Sequence, residues 1–226
     1  MYTLITANRN YSSWSLRPWM LMKGLGIAFA DRIEPFAKAV NYEAFRAFSP
    51  TGQVPVLIDG SRTIYDSLGI ALYLADRHKG VWPEDEDARA WAQCAVAEMH
   101  SGFSALRNDC PMNVGVRVKP KPASAALSAN LARLRELWSE GLSRFGGPWL
   151  AGSAFSAVDS FFAPVAFRVR TYALDVGAGQ AWVDAMLDHP AMRQWEAEAL
   201  AESWREASHE EELRETGSLI ADYRTG

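Results

Sequence analysis

The sequence predicts two domains, a mixed α/β domain followed by an all-helical one. Up to about position 80, short β-prone runs alternate with helical patterns, which is typical of a compact α/β unit. Gly80-Val81-Trp82-Pro83 has the composition of a linker, and beyond Asp85 we find only helical periodicity. We therefore expect an α/β domain over residues 1–80 and an all-helical domain over residues 86–226.

The elements of the first domain follow from apolar runs and the turn residues between them. Pro18 is tolerated only in a first helical turn, where its missing N–H has no partner, so the first helix should begin near Ser15. Pro55 cannot donate to a β ladder and belongs at the start of a strand, where its peptide bond can be cis. Asp59-Gly60 is typical of a hairpin turn. The expected elements, in order, are a strand over Thr3–Ala7, a helix over Trp14–Gly24, a strand over Ala28–Ile33, a short helix within Val40–Phe48, a hairpin of Val56–Ile58 with Thr63–Tyr65, and a helix from Asp66 or Ser67 to about His78.

The elements of the second domain are predicted from apolar residues at helical spacing. Steps of four and three place one stripe on a single long helix, formed by Ala92, Val96, Met99, Phe103 and Leu106. A second helix is expected around residues 127–138, after a proline- and lysine-rich loop over Pro111–Pro122. Ser156 and Asp159 have the spacing of a capping box that opens a third helix. The remaining expected elements are two shorter helices over Ala181–Leu187 and Pro190–Ala201, and a charged, loosely packed tail from Glu202.

Composition and charge exclude several classes of partner. The 226 residues are 49% hydrophobic and 22% charged, with a formal charge of −4 and scattered Lys and Arg residues, so we expect no nucleic acid and no membrane partner. No apolar run approaches the roughly 20 residues of a membrane span, and the N-terminus lacks the features of a signal peptide, which predicts a cytoplasmic location. Cys94 and Cys110 fit a reducing compartment, and their spacing matches no metal site.

A run of hydroxyl side chains lies at the start of the first predicted helix, in the segment Asn10–Trp19. A helix start concentrates unpaired N–H donors and partial positive charge, so serines there either cap the helix or face an anion. If the helix begins near Ser15, the hydroxyls of Ser12 and Ser13 lie in the loop before it and are free to point outward. Both roles, capping and anion contact, are open from this segment alone.

Four motifs in order and spacing resemble those of the cytosolic glutathione transferases over nearly the whole chain. Val54-Pro55 is similar to the cis-proline turn of their thioredoxin-like domain, and Asp66-Ser67 is similar to the pair that opens their third helix. Residues 148–152, followed by the box from Ser156 to Asp159, are similar to the capping box of their helical domain. The resemblance implies a thioredoxin-like N-terminal domain, a helical C-terminal domain and a homodimer.

The serine run itself is similar to the Ser-Ser-Cys-Ser signature of the zeta class, with Trp14 at the cysteine position. The resemblance implies a bacterial, zeta-like, serine-type member in which Ser12 falls at the catalytic position, with Ser13 as the second candidate. The hydroxyl would donate a hydrogen bond to the glutathione thiolate and would not act as a nucleophile. Trp14 in place of the cysteine weakens the expectation of zeta-type isomerisation. No cysteine occurs in residues 1–80, which argues against a thiol transferase.

The remaining site residues are implied by the same resemblance. Glutathione is the expected co-substrate, no metal is expected, and the second substrate is a small electrophile. His100 and Arg107 are seven residues apart on the predicted long helix and should therefore share one face. The implied glutathione contacts are Gln53, Val54, Pro55, Asp66 and Ser67. The implied electrophile pocket comprises Tyr11, Trp14, His100, Arg107 and Asn108.

Three functions are compatible with these residues. The first is a glutathione transferase that conjugates glutathione to small electrophiles, or reduces them with it, in detoxification. The second is a glutathione-dependent cis-trans isomerase of the maleylacetoacetate type. The third is a non-catalytic binding or interaction protein with the same fold. Glutathione affinity separates the first two from the third, and a panel of electrophiles separates the first from the second.

Overall fold

A four-stranded mixed sheet forms the centre of the first part of the chain. The computed structural model describes residues 1–36 and 41–225. Its sheet has the order β2-β1-β3-β4, where β1 pairs parallel with β2 and antiparallel with β3, and β3 pairs antiparallel with β4. The strands are β1 (Tyr2–Thr6), β2 (Phe29–Ile33), β3 (Val56–Asp59) and β4 (Arg62–Ile64). The α/β prediction is therefore confirmed, with strand ends shifted by at most one residue.

Three helices accompany this sheet, α1 (Ser13–Gly24), α2 (Asn41–Arg46) and α3 (Ser67–Ala75). The prediction that α1 begins near Ser15 is wrong, because the helix begins at Ser13 and Pro18 lies in its second turn. A proline there removes one backbone hydrogen bond. The fully buried Leu16 and Trp19 offset that loss, since burying a large apolar side chain contributes about 1.5–3 kcal/mol. Val40, where the short second helix was expected to begin, lies outside the described residues.

The second part of the chain is mainly helical and surrounds one buried helix. That helix, α7, packs against α1 and carries the core between both parts of the chain. Within the described ranges, no helix is long and apolar enough to cross a membrane. The elements of this part are α4 (Glu86–Ser101), α5 (Ser104–Asp109), β5 (Val116–Pro120), α6 (Ala125–Phe145), α7 (Ala157–Tyr172), α8 (Gln180–Asp188), α9 (Pro190–Ala201), α10 (Ala207–Thr216) and β6 (Gly217–Asp222).

The predicted capping box at the start of α7 is present and is completely buried. Asp159 is 0% exposed and accepts hydrogen bonds from the backbone N–H of Ser156 at 3.0 Å and of Leu150 at 2.9 Å. The indole Nε1 of Trp182 donates to the same carboxyl group at 2.9 Å. One side chain therefore ties together the start of α7, the preceding loop and α8.

The long helix predicted from the apolar stripe is two helices, which corrects the sequence interpretation. α4 ends at Ser101, Gly102 adopts an extended conformation, and Phe103 is left-handed with φ 54°. A β-carbon on Gly102 would lie 2.8 Å from the carbonyl oxygen of Glu98, so glycine is required at this close approach. All five stripe residues are nevertheless buried, because the chain resumes as α5 on the same side of the core.

The loop after α5 and the end of the chain form a two-stranded ribbon that the sequence analysis did not predict. β5 pairs antiparallel with β6, from Val116 opposite Asp222 to Pro120 opposite Gly217. Leu213 of α10 is also buried in the core. The predicted loop over Pro111–Pro122 and the predicted loose tail are therefore wrong in this respect. Val116 and Val118 of the ribbon are buried, although the proline- and lysine-rich sequence around them suggested an exposed loop.

Candidate functional site

A cavity of about 910 Å³ lies where the N-terminus of α1 meets the loop before β3, the start of α3, α5 and α10. Ten of the twelve predicted site residues line it. His100 and Ser67 are not among its lining residues. The ten are Tyr11, Ser12, Ser13, Trp14, Gln53, Val54, Pro55, Asp66, Arg107 and Asn108.

The two candidate serines differ in what their hydroxyl groups already bind. Ser12 donates its proton to Ser15 Oγ at 2.7 Å, and Ser15 also accepts from the backbone N–H of Ala7 at 3.2 Å. Ser13 Oγ instead accepts a hydrogen bond from Nη2 of Arg168 at 3.4 Å. The Ser12 proton is therefore engaged within the protein, whereas the contact with Arg168 leaves the Ser13 proton available to the cavity.

The second wall of the cavity is the turn before β3. Val54 and Pro55 are joined by a cis peptide bond, and Val54 precedes the first residue of the β3 ladder. Its backbone N–H and C=O are thus not used by the sheet. Ser49 fixes the turn, since its hydroxyl donates to the carbonyl oxygen of Gln53 at 2.6 Å and accepts from the N–H of Gln53 at 3.2 Å.

Asp66 at the start of α3 is a helix cap and a cavity residue at once. Its Oδ1 accepts from the backbone N–H of Leu68 at 2.9 Å, and its Oδ2 lies 3.3 Å from Nε2 of His100. His100 therefore contacts Asp66 but does not itself line the cavity. Burial lowers the pKa of His100, although the carboxylate of Asp66 opposes that effect. Ser67 is fully buried, and its hydroxyl has no hydrogen-bond partner in the described structure.

Two arginines and one histidine contact the ring of Trp14. The guanidinium carbon of Arg17 lies 4.1 Å from its ring centroid and that of Arg107 lies 5.3 Å away, while the His100 ring meets it edge-on at 5.3 Å. The prediction that His100 and Arg107 share one helix face is wrong, because the helix ends before Gly102 and the two residues lie on different helices. Both nevertheless reach Trp14.

One wall of the cavity is formed by α10, a helix that the sequence analysis did not predict within the charged tail. Tyr11 donates its hydroxyl to Oε1 of Glu210 at 2.7 Å, and the His209 ring stacks on Tyr11 at 4.9 Å and on Phe36 at 5.3 Å. Burial, together with Glu210, raises the pKa of Tyr11 well above its usual range. His209 and Glu212 of α10 line the cavity.

Arg168 is a further cavity residue that the sequence reasoning missed. It lies in the middle of α7, whose apolar pattern predicted a core helix, and its side chain is buried. Its signal in the sequence is a charged residue inside an apolar helix, which is rare unless the charge has a partner. Within the described residues, no group of three or more His, Cys, Asp or Glu side chains could hold a metal ion.

Sequence profiles of known families identify the two parts of the chain. The profile described as the glutathione S-transferase N-terminal domain matches residues 11–77, and that of the glutathione S-transferase C-terminal domain matches residues 118–198. The chain belongs to the glutathione transferase family. Family membership and the mixed sheet confirm the predicted fold class, a thioredoxin-like domain with a helical domain.

Individual glutathione transferases agree with this assignment. Mouse glutathione S-transferase theta-1 is 28% identical over 139 residues, which span 54% of this chain and 57% of the mouse protein. A glutathione transferase homolog from Burkholderia GL BGR1, solved with bound glutathione, is 20% identical with a TM-score of 0.66, covering 88% of this chain and 97% of its own. The theta class enzyme from Xanthomonas axonopodis pv. citri, solved with glutathione, is 23% identical with a TM-score of 0.63, covering 85% and 96%.

Proposed function

We propose that this chain is an active glutathione transferase that binds glutathione in the cavity and adds its sulfur to a small electrophile, or reduces the electrophile with it. The observation that carries the proposal is the convergence on one cavity of the α1 N-terminus, the Val54-Pro55 turn and Asp66. Solved members of the family with glutathione bound support the choice of co-substrate. In this proposal the Val54 backbone pairs with the cysteinyl part, and Asp66 and Ser67 meet the γ-glutamyl end, with Gln53 at the glycyl end.

The hydrogen bonds favour Ser13 as the thiolate donor, although the sequence register favours Ser12. A free thiol has a pKa of about 8.5 and is mostly protonated at neutral pH. Lowering the pKa by about two requires roughly 2.7 kcal/mol, which one charge-assisted hydrogen bond and a helix N-terminus can supply together. Ser13 is the first residue of α1, so it can supply the hydroxyl at the positive end of the helix.

The proposed reaction needs no covalent bond to the protein. The thiol of glutathione loses its proton to solvent, and the serine hydroxyl stabilises the resulting anion. The sulfur then donates an electron pair to the electrophilic carbon, and the leaving group departs with its bonding pair. Tyr11, Trp14, Arg107 and Asn108 line the part of the cavity that we assign to the electrophile.

The remaining expectations are part of the same proposal. We propose a division into residues 1–80 and 86–226, a homodimer, a cytoplasmic location and a role in detoxification. The zeta-like, serine-type and bacterial assignments also stay predictions. His100 contributes to the electrophile pocket through Trp14 and Asp66, since it contacts both.

Glutathione binding tests the proposal directly. Calorimetric titration at millimolar glutathione should show binding, and Asp66→Asn should weaken it about tenfold because a charge-assisted contact is lost. Asp76→Asn is the matched control, since this aspartate at the other end of α3 is 82% exposed. No binding to the unaltered protein at millimolar glutathione would exclude both enzymatic functions.

Turnover of an electrophile panel separates the candidate functions. Aromatic chlorides and hydroperoxides should be consumed at the expense of glutathione. Isomerisation of maleylacetone without consumption of glutathione would support the isomerase instead. Binding without turnover of any substrate would support the non-catalytic protein.

The Tyr11 hydroxyl is expected to play no part in thiol activation. Tyr11→Phe should leave kcat/KM within about twofold, because the hydroxyl already donates to Glu210. It should lower the free energy of unfolding by about 1 kcal/mol. Steady-state kinetics and urea unfolding measure the two quantities, and a tenfold loss of kcat/KM would show that Tyr11 contacts the reacting sulfur.

A further inference from the structure

We propose that Arg168 is a positioning residue for thiol activation, acting through Ser13, and this rests on the proposed function above. Both residues line the cavity, and Nη2 of Arg168 donates to Ser13 Oγ at 3.4 Å. Its hydrogen bond to Ser13 Oγ occupies a lone pair of the serine and turns the serine proton toward the bound sulfur.

The surroundings of Arg168 fix its guanidinium group in place. The residue is 3% exposed, and Nε donates to the carbonyl oxygen of Cys110 at 2.8 Å. Nη1 donates to the carbonyl oxygen of Pro164 at 3.4 Å, and Nη2 donates to Ser13. Two carbonyl oxygens hold the planar group, so its third contact has a defined direction. The guanidinium group is therefore held in an orientation that directs Nη2 to the hydroxyl group of Ser13.

The charge on Arg168 is not neutralised by the protein. Across the described residues, no carboxylate forms an ion pair with Arg168, Arg107 or Arg17. Arg17 is also buried, and its Nε and Nη1 have no hydrogen-bond partner in the described structure. A buried cation without a counter-ion is costly, which indicates that the site gains its anion from outside.

The other buried arginines of the chain show the contrast. Arg9 pairs with Asp31 and with Glu198, whose oxygen lies 2.9 Å from its Nε. Arg224 pairs with Asp222 at 2.7 Å and with Glu210. The chain thus neutralises buried guanidinium groups elsewhere and leaves positive charge uncompensated around Ser13. A thiolate at Ser13 is an anion in the right place to balance that charge.

Several ionisable groups face this region of the cavity. Burial lowers the pKa of Arg168 to about 10 and that of Arg17 to about 9, so both stay charged at neutral pH. Burial raises the pKa of the Cys110 thiol to about 12, so that thiol stays neutral. The groups that face Arg168 or the cavity are Arg17 from α1, Asp66 from the start of α3, His100 from α4, Arg107 from α5, Cys110 from the following loop, Tyr172 from α7, and His209 and Glu212 from α10.

The pKa of the thiol of bound glutathione tests the proposal. It is measured from the ultraviolet absorbance of the thiolate as a function of pH, on protein saturated with glutathione. Arg168→Met should raise this pKa by about one, because the serine hydroxyl loses the contact that directs its proton and its hydrogen bond to the thiolate weakens. Arg170→Met is the matched control on the same helix. Arg170 forms an ion pair with Glu196 at 2.6 Å and does not line the cavity, so this variant should leave the thiol pKa unchanged.

A second background shows whether Arg168 acts through Ser13. In Ser13→Ala protein, Arg168→Met should shift the thiol pKa by less than half of its effect in the unaltered protein. Equal shifts in the two backgrounds, or no shift in either, would overturn the proposal. Should Arg168→Met not fold, Arg168→Lys takes its place in both backgrounds. Lysine keeps the positive charge but lacks the planar group that donates to all three oxygens, so it should also raise the thiol pKa.

The experiment separates this proposal from the proposed function. If glutathione binds to the unaltered protein with a thiol pKa near that of free glutathione, thiol activation itself fails. If the unaltered protein lowers the thiol pKa and Arg168→Met lowers it equally, the function stands and the role of Arg168 fails. Calorimetric titration of each variant confirms that the measured thiol belongs to bound glutathione.

Discussion

Replacing Ser13 by alanine should lower kcat/KM for glutathione conjugation about 100-fold at neutral pH, because removal of one preorganised donor to a developing anion typically costs a factor of 10²–10³. The loss should shrink as the pH rises above the thiol pKa of free glutathione, where the thiolate forms without help. Steady-state kinetics over a pH series measures both effects. A loss that does not change with pH would indicate that Ser13 serves binding and not ionisation.

Ser12→Ala is the matched comparison for this prediction. Its hydroxyl donates to Ser15, so its removal should lower kcat/KM only about threefold, through a small displacement of the α1 start. The two variants differ by one position in the same turn and remove the same atoms. If Ser12→Ala causes the larger loss, the hydrogen bonds of the free protein rearrange on glutathione binding and the sequence register is the better guide.

Asp159→Ala should lower the free energy of unfolding by about 3–5 kcal/mol. The substitution leaves three buried donors without an acceptor, the N–H groups of Leu150 and Ser156 and the indole of Trp182, and each unsatisfied group costs about 1–3 kcal/mol. Urea unfolding, followed by tryptophan fluorescence, measures the change. The large effect follows from the position of the carboxyl group, which joins the start of α7 to the preceding loop and to α8.

Two further variants bracket the Asp159 result. Asp159→Asn keeps one carbonyl oxygen as an acceptor and should lose less stability than the alanine variant. Asp188→Ala removes a 76% exposed aspartate that pairs with Arg193, and should change the free energy by less than about 0.5 kcal/mol. A loss of under 1 kcal/mol for Asp159→Ala would mean that water replaces the carboxylate in the variant.

Local patterns predicted much of the fold, and failed where tertiary contacts outweighed them. The capping box at Ser156 and the turn at Asp59-Gly60 are formed by residues close in sequence, so their physics is visible there. The α1 start was misplaced because the cost of Pro18 was weighed without the burial of Trp19. The ribbon of β5 and β6 was missed because its two strands are about one hundred residues apart and neither is strongly apolar.

In the candidate site, too, the residues with local sequence signals were predicted and those that depend on distant contacts were missed. Ser13, Val54 and Asp66 are marked by helix starts and a proline turn, and the structure brings them to one cavity. Arg168 and His209 carry weaker local signals, since Arg168 is a single charged residue within an apolar helix and His209 belongs to a charged tail. Their relevance depends on which distant elements they meet, and a single sequence without partners does not contain that information.

The pairing of β5 with β6 determines how the cavity can open. α10 is fixed at its start by the Glu206 cap, which accepts from the N–H of His209 at 2.9 Å, and at its end by the ribbon. A segment anchored at both ends cannot swing away as a free tail does, and its displacement requires breaking the hydrogen bonds of the ribbon. We therefore expect α10 to move away from the cavity only together with an opening of the β5-β6 ribbon.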